Sequence, residues 1–338
     1  MSSKRFISAI AITMFIVVVP QLEAQNFCST TAAYLQSACY ASANESQLTQ
    51  TANCINLSNG SERQECLSDA ADSYKEDINL CRAQHRWRLN ACTLLGEDRY
   101  DPNINPANFD TDFTNLTNPN PYFPLSIGNH WKYVGGGEVN TVDITNETKL
   151  IDGVRCIVSH DKVFVGNFIT ESTNDWFAQA IDGTTWYFGE ETGEYETFPK
   201  DKPVIPELVD TEGSFKAGRD EAKPGIIFLP LPKNGAVYLE EFSLGNAEDM
   251  TQILSINYSF GQNHDLDRMV PQQLADHFCA AGDCVVTKNI SLLEPQVIER
   301  KYYAKNIGVF LEVELTDQQI SRLVECNFDS KCQNIPQP

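Results

Sequence analysis

After residue 19 the chain has no apolar run long enough to span a bilayer, and basic residues are scarce. Only 25 Lys and Arg stand against 46 Asp and Glu, a formal net charge of −21. The first absence excludes a multi-span helical membrane protein. The second makes nucleic acid a poor partner, because an acidic surface repels a phosphate backbone. Signatures of catalysis are missing as well: no H-E-x-x-H, no G-x-S-x-G, no phosphate loop and no dinucleotide fingerprint. Histidine is sparse, at 85, 130, 160, 264 and 277. His160-Asp161 and His264-Asp265 are adjacent pairs, and strand neighbours point to opposite faces, so neither forms a ready dyad.

What is present is enough for two domains: 338 residues, 42% of them hydrophobic. Eleven cysteines point to an oxidising compartment. Lys4 and Arg5 precede an apolar run from Phe6 to Val19, broken by Pro20 and followed by Ala24. This predicts a cleaved signal peptide over 1–24 and a secreted or periplasmic product, with no transmembrane segment after cleavage.

Six cysteines follow, at 28, 39, 54, 66, 81 and 92, with gaps of 11, 15, 12, 15 and 11. The palindrome centres on Gly60, inside the turn-forming Ser58-Asn59-Gly60-Ser61. Gaps of 11 and 15 approximate three and four helical turns, so each trio stays near one helix face. An antiparallel helical hairpin over 25–96 then pairs Cys28–Cys92, Cys39–Cys81 and Cys54–Cys66. Zinc would want closely spaced cysteine pairs, which are absent here, so disulfides lead. Asn26 or Ser29 is the expected cap of the first leg, Ser61 to Glu65 supplies caps for the second, and Gly96 stops it. The architecture resembles twin-cysteine CHCH hairpins, with different spacing. Gln84-His85-Arg86-Trp87-Arg88 reads as a solvated helix face with Trp87 packed.

Residues 97–120 form an Asn/Pro/Asp-rich linker. Within it Asp101, Asn103, Asn105 and Asp112 occupy positions 1, 3, 5 and 12 of a calcium loop. Pro106 replaces the turn glycine and Asp112 the bidentate glutamate, so plain linker is the favoured reading, and no other cofactor is expected. From 121 to 315 short β-branched and aromatic runs predict an antiparallel β domain, a curved sheet or barrel-like meander. Asp182-Gly183 marks a hairpin turn. Val309, Leu311, Val313 and Leu315 alternate with Glu312 and Glu314, which places the glutamates on the face opposite the core. Glu190, Glu191, Glu194 and Glu196 read as another solvated face. A short helix over Asp317 to Cys326, capped by Thr316, and a disulfide-tied tail complete residues 316–338. Cys279–Cys284 and Cys326–Cys332 are local disulfide candidates, and Cys156 is a buried small hydrophobe.

Tyr122-Phe123-Pro124-Leu125, Gly128-Asn129-His130-Trp131-Lys132-Tyr133, Asp182-Gly183 with Trp186-Tyr187-Phe188-Gly189-Glu190, and Lys301-Tyr302-Tyr303-Ala304 with Ile307-Gly308-Val309 recur in order. This set resembles a family of exported bacterial β-domain proteins of uncharacterised function. The resemblance covers roughly 121–315, leaves out the cysteine hairpin, and implies fold and export only.

The sequence therefore predicts an α+β protein: a disulfide-laddered antiparallel α-hairpin followed by a mostly antiparallel β domain. The function expected is non-catalytic, with a small ligand or protein partner bound through the β domain and the hairpin as rigid spacer or docking arm. Trp176 and Trp186 are the cavity candidates. A secreted hydrolase with a site of dispersed Asp, Glu and His is the alternative, and two close carboxylates in a pocket would favour it.

Overall fold

The computed structural model describes residues 26–338. The expected signal peptide lies outside the described residues. Two long helices come first, α1 (Phe27–Ile55) and α2 (Gly60–Leu95). Disulfides Cys28–Cys92, Cys39–Cys81 and Cys54–Cys66 bridge them, with Cα separations of 5.6, 5.7 and 5.5 Å. The seam is narrow because small side chains fill it: Ala32, Ala43 and Cys54 are buried on α1, and Ala70, Cys81 and Cys92 on α2. Each trio repeats every 11 residues, close to three full turns, so the buried stripe runs straight along its helix. Asn59 caps α2 by accepting the Ser61 and Glu62 N–H groups, and Gly96 ends it at φ 100°. The start of α1 is capped from across the hairpin. Ser29 donates its N–H to the Glu97 carboxylate at 3.0 Å and Cys28 donates to the Glu97 carbonyl at 3.2 Å, while the Asn26 side chain makes no cap bond.

The β domain is one antiparallel sheet of 15 strands. The long meander comes first: β1 (His130–Gly135), β2 (Glu138–Ile151), β3 (Val154–Val165), β4 (Phe168–Gln179) and β5 (Thr185–Glu196). Short strands follow: β6 (Glu207–Asp210), β7 (Phe215–Lys216), β8 (Lys223–Phe228), β9 (Val237–Leu239) and β10 (Glu241–Phe242). The remaining strands are β11 (Asp249–Tyr258), β12 (Cys284–Ser291), β13 (Ile298–Ala304), β14 (Gly308–Glu314) and β15 (Gln319–Cys326). Helices α3 (His264–Asp267) and α4 (Gln272–Cys279) lie between β11 and β12. Hydrogen bonding runs β10-β8-β5-β4-β3-β2-β1-β15-β14-β13-β12-β11-β9, with β6 and β7 on β5. The two ends of this path, β10 and β9, are separated in the chain by Glu240 alone. The sheet thus curls until one short stretch pairs with β11 on one side and with β8 on the other.

Gly225 makes that closure possible. A Cβ on it would lie 1.9 Å from the Glu240 carbonyl oxygen, so any larger residue would hold β8 away from the closing segment.

The helix expected over Asp317 to Cys326 is instead β15, which runs between β1 and β14 with Leu323 fully buried. Gln318, at φ 57°, turns the chain back after β14, and Glu314 pairs with Gln319. Pairing on both edges outweighs the local helix propensity of this segment, and the sheet extends to Cys326 rather than ending at 315.

The sequence 97–120 is no free tether over its second half. Phe109 sits edge-on against Phe188 at 5.8 Å on the outer face of the sheet. Asp110 accepts from Thr117 and from Gln179 of β4, and Asn120 donates to the Gly183 and Phe228 carbonyls. Elsewhere Phe278 of α4 covers Phe310, and Trp87 and Ala91 of α2 pack with Leu239, Met250 and Ile290 of β9, β11 and β12. Cys279–Cys284 and Cys326–Cys332 are also bridged, and Cys156 is free and buried. Ten cysteines in five disulfides place the protein outside the cytoplasm, in an oxidising compartment. Among the described residues no helix is long and apolar enough to cross a membrane.

Candidate functional site

The inner face of the curled sheet encloses a cavity of about 290 Å³. Period-two alternation brings its wall together: Trp131 and Tyr133 from β1, Asn140, Val142 and Ile144 from β2, Ser159 and Asp161 from β3, Asp175 and Phe177 from β4, Lys301 and Tyr303 from β13. One part of the wall is aromatic. Phe123 meets Phe177 edge-on at 5.0 Å, and Phe177 stacks on Tyr187 at 4.9 Å. Trp131 joins this wall, with its indole N–H tied to the Ile307 carbonyl at 2.7 Å.

The other part is acidic. Asp161, Asp175, Glu240, Glu241, Asp249 and Glu312 line the cavity, with Lys301 as its single lysine or arginine. Lys301 Nζ stands 3.7 Å from Glu312 and 4.0 Å from Glu299. Burial raises these carboxyls above their ordinary range, and the neighbouring carboxylates add to the effect. Asp161 is pushed up to about 7, first by burial and then by Glu171 and Glu312. Glu240 also rises to about 7 through burial, although Thr251 donates to it at 2.5 Å and Asn289 at 2.9 Å.

A tyrosine joins two of the acids. The Tyr187 hydroxyl lies 2.6 Å from Asp175 Oδ1 and 2.9 Å from Glu190 Oε2. A phenol has one hydrogen, so it can donate to only one carboxylate. For both contacts to be hydrogen bonds, the other acid must itself carry a proton and donate to the phenol oxygen. Glu190, raised by burial to about 7, suits this sharing.

Two β-bulges aim glutamates inward that alternation alone would turn out. Between β4 and β5 the pairing steps from Asp175↔Glu190 to Phe177↔Tyr187, so β5 carries an extra residue and Glu190 returns to the Tyr187 side. Between β13 and β14 it steps from Tyr302↔Leu311 to Tyr303↔Val309. Phe310 is the extra residue, and Glu312 shares the inner face with Val309. The solvated faces expected for Glu190 and Glu312 are therefore corrected, while Glu191, Glu194 and Glu196 are exposed.

Both tryptophans expected as cavity candidates stand on the outer face. Trp186 packs beside Phe109. Trp176 borders a separate surface cleft, with Lys149 Nζ 3.5 Å from its ring centroid. The lumen's tryptophan is Trp131. None of the residues lining the lumen is a histidine. His130 pairs with Asp143 at 2.8 Å away from it. In the calcium-like stretch, Lys223 pairs with Asp101, Asn105 caps a 3-10 turn, and Asp112 accepts from Thr114. Among the described residues no three His, Cys, Asp or Glu side chains group as a metal site.

The patch around Arg88 is a docking face rather than a solvated one. Arg88 forms a bidentate pair with Glu248, and Gln84 donates to the Leu293 carbonyl at 2.8 Å. A groove of about 550 Å³ runs beside this joint, lined by Phe27, Leu35, Leu95, Tyr100 and Phe242.

No family model and no curated protein matches the chain. It is similar to two solved structures. One is described as an exported protein with a YmcC-like fold from Bacteroides fragilis, at 10% identity, covering 61% of this chain and 99% of that one, with a TM-score of 0.31. The other is described as a lipoprotein from Parabacteroides distasonis, at 8% identity, covering 62% and 99%, with a TM-score of 0.27.

Proposed function

We propose that this is an extracytoplasmic, non-catalytic binding protein that takes a small ligand into the lumen of its β domain. The observation that carries this is the lumen itself: about 290 Å³ of space with an aromatic wall facing polar groups. Ligand pockets commonly combine these, apolar surface for affinity and a few polar groups for orientation. The hairpin acts as an arm. Its base is fixed to the sheet through Arg88 and Gln84, and its far end, around Cys54–Cys66, extends away.

A hydrolase is the second reading, favoured by one observation: Asp175 and Glu190 share the Tyr187 hydroxyl, and two adjacent carboxyls of raised pKa can act as acid and base. A nucleophilic triad has no support here, because Ser159 is the cavity's fully buried serine and has no histidine partner.

The test compares the protein with Val142→Trp, which fills the lumen from β2. Ligand-induced rises in Tm across a fragment collection should occur in the unmodified protein and vanish in the filled one. Equal shifts in both, or none in either, would overturn the lumen as the binding site. Turnover of model glycosides that Glu190→Gln abolishes would establish the hydrolase instead.

A further inference from the structure

Within the lumen two buried polar atoms have no hydrogen-bond partner. Ser159 is fully buried between Ile157 and Asp161 on the inner face, and its Oγ has no hydrogen-bond partner. Asn140 gives its amide N–H to Asp161 at 2.9 Å, which leaves Asn140 Oδ1 buried without a partner. A buried polar atom without a partner is costly and uncommon in a folded protein. Both stand beside a wall that sets six carboxyls against one ammonium. A ligand that completed this cavity would bring several N–H donors and positive charge.

We infer that, granted the lumen as binding site, its ligand is a small organic amine with an apolar body. An ammonium has three N–H donors and no acceptor. It can give them to Asp161 and to one of the two orphaned groups, Asn140 Oδ1 or the Ser159 hydroxyl, which stand four residues apart along the β2–β3 register. The aromatic wall of Phe123, Trp131 and Phe177 suits the apolar body and attracts a cation through the ring faces. An anionic ligand would meet six carboxyls and a single ammonium, Lys301, which already stands beside Glu312. A metal ion fits less well, since among the described residues no three carboxylate, histidine or cysteine side chains group for coordination.

The experiment is isothermal titration of the full mature chain with three probes of one shape: phenethylamine, 2-phenylethanol and 3-phenylpropionate. The amine is expected to bind at least about tenfold tighter than the alcohol, and the acid not to bind. Asp161→Asn should weaken the amine about tenfold or more and leave the alcohol unchanged. Binding of the alcohol or the acid as tight as the amine would overturn the amine inference while leaving the lumen reading intact. Binding by none of the three, in a protein whose Tm also fails to respond to the fragment collection, would overturn both. If Asp161→Asn does not fold, the order of the three probes on the unmodified chain still decides the inference.

Discussion

Arg88 of the hairpin and Glu248 of the β domain form a bidentate ion pair, Nε to Oε2 at 2.8 Å and Nη2 to Oε1 at 2.9 Å, with only 6% and 4% of the side chains accessible. They are 160 residues apart in the chain. Glu248 also accepts the Gly245 N–H at 2.5 Å, so it organises its own turn while it holds the helix. Arg88 Nη1 is buried without a partner. The geometry makes the joint specific, and its contribution to stability depends on keeping both charges together.

Removing one partner should therefore cost more than removing both charges. Arg88→Met leaves Glu248 buried and uncompensated, with an expected loss of about 3–5 kcal/mol. Adding Glu248→Gln should recover a good part of that loss. Chemical denaturation measures both, and limited proteolysis between residues 97 and 105 should accelerate in the single variant. Equal stability of Arg88→Met and the unmodified chain would mean that the hairpin is held elsewhere.

Gly225→Ala should break barrel closure. Its Cβ would sit 1.9 Å from the Glu240 oxygen and 2.9 Å from the Leu239 oxygen, and both are backbone atoms that cannot rotate away. β8 and the β9–β10 segment must separate, exposing the lumen. A loss of at least about 3 kcal/mol is expected, since overpacking against fixed backbone costs that order. Gly60→Ala is the control, because nothing lies within 4 Å of its Cβ and it begins a helix. Near-UV circular dichroism and thermal melting of the two variants check the contrast.

These two sites show what was legible. The α-hairpin with its ladder can be read from spacing alone, because 11- and 15-residue gaps and helical turns are the same geometry. The β domain was legible as alternating strands. The lumen was not, because it depends on β-bulges. An extra residue reverses alternation locally; Gly189, a glycine inside a strand run, is the local sign of the first insertion, and nothing around Phe310 announces the second. Glu190 and Glu312 therefore look solvated in the sequence and face the cavity in the fold. Arg88 looks solvated for a different reason: its partner arrives from a distant turn. The strand β15 was read as a helix because its place between β1 and β14 is a tertiary fact.

Stability should fall as pH rises from the ordinary carboxyl range to about 7. Asp161, Glu190 and Glu240 are each raised to about 7 by burial, from ordinary values of 3.8, 4.5 and 4.5. Asp161 faces Asn140 on β2, Glu171 on β4, Lys301 on β13 and Glu312 on β14. Asp249 stands near both Glu190 and Glu240, Glu171 also stands near Glu190, and Lys301 is the cation beside Glu240. Between the ordinary and the raised value the folded protein holds protons that the unfolded chain has released. Stability therefore declines with pH across that window and levels above it. Denaturation midpoints between about pH 4.5 and about pH 8 measure the slope. A midpoint that rises over this interval would contradict the acidic lumen. Bound amine should flatten the decline, because its charge offsets the carboxylates as they ionise.

Tyr187→Phe isolates the shared hydroxyl. The ring is preserved, so its stacking on Phe177 and its edge contact with Phe215 remain. What is lost is the one group that touches both Asp175 and Glu190. At about pH 8, where deprotonation is favoured, two half-buried carboxylates would be left without their common donor. A cost of about 1–3 kcal/mol is expected, the penalty for orphaning buried polar groups. At about pH 5 both acids hold their protons, can donate to other acceptors in the wall, and should feel the change less. The variant's stability loss should therefore be larger at the higher pH: the Tyr187 hydrogen bond holds both acids down, so without it they rise further and the decline extends to higher pH than in the unmodified protein. If the hydroxyl instead favours the protonated pair, the loss is larger at low pH and the decline moves to lower pH. Paired denaturation series across the same pH range separate these outcomes. A loss that is the same at every pH would mean that the hydroxyl does not distinguish the protonated from the ionised acids and holds no proton between them.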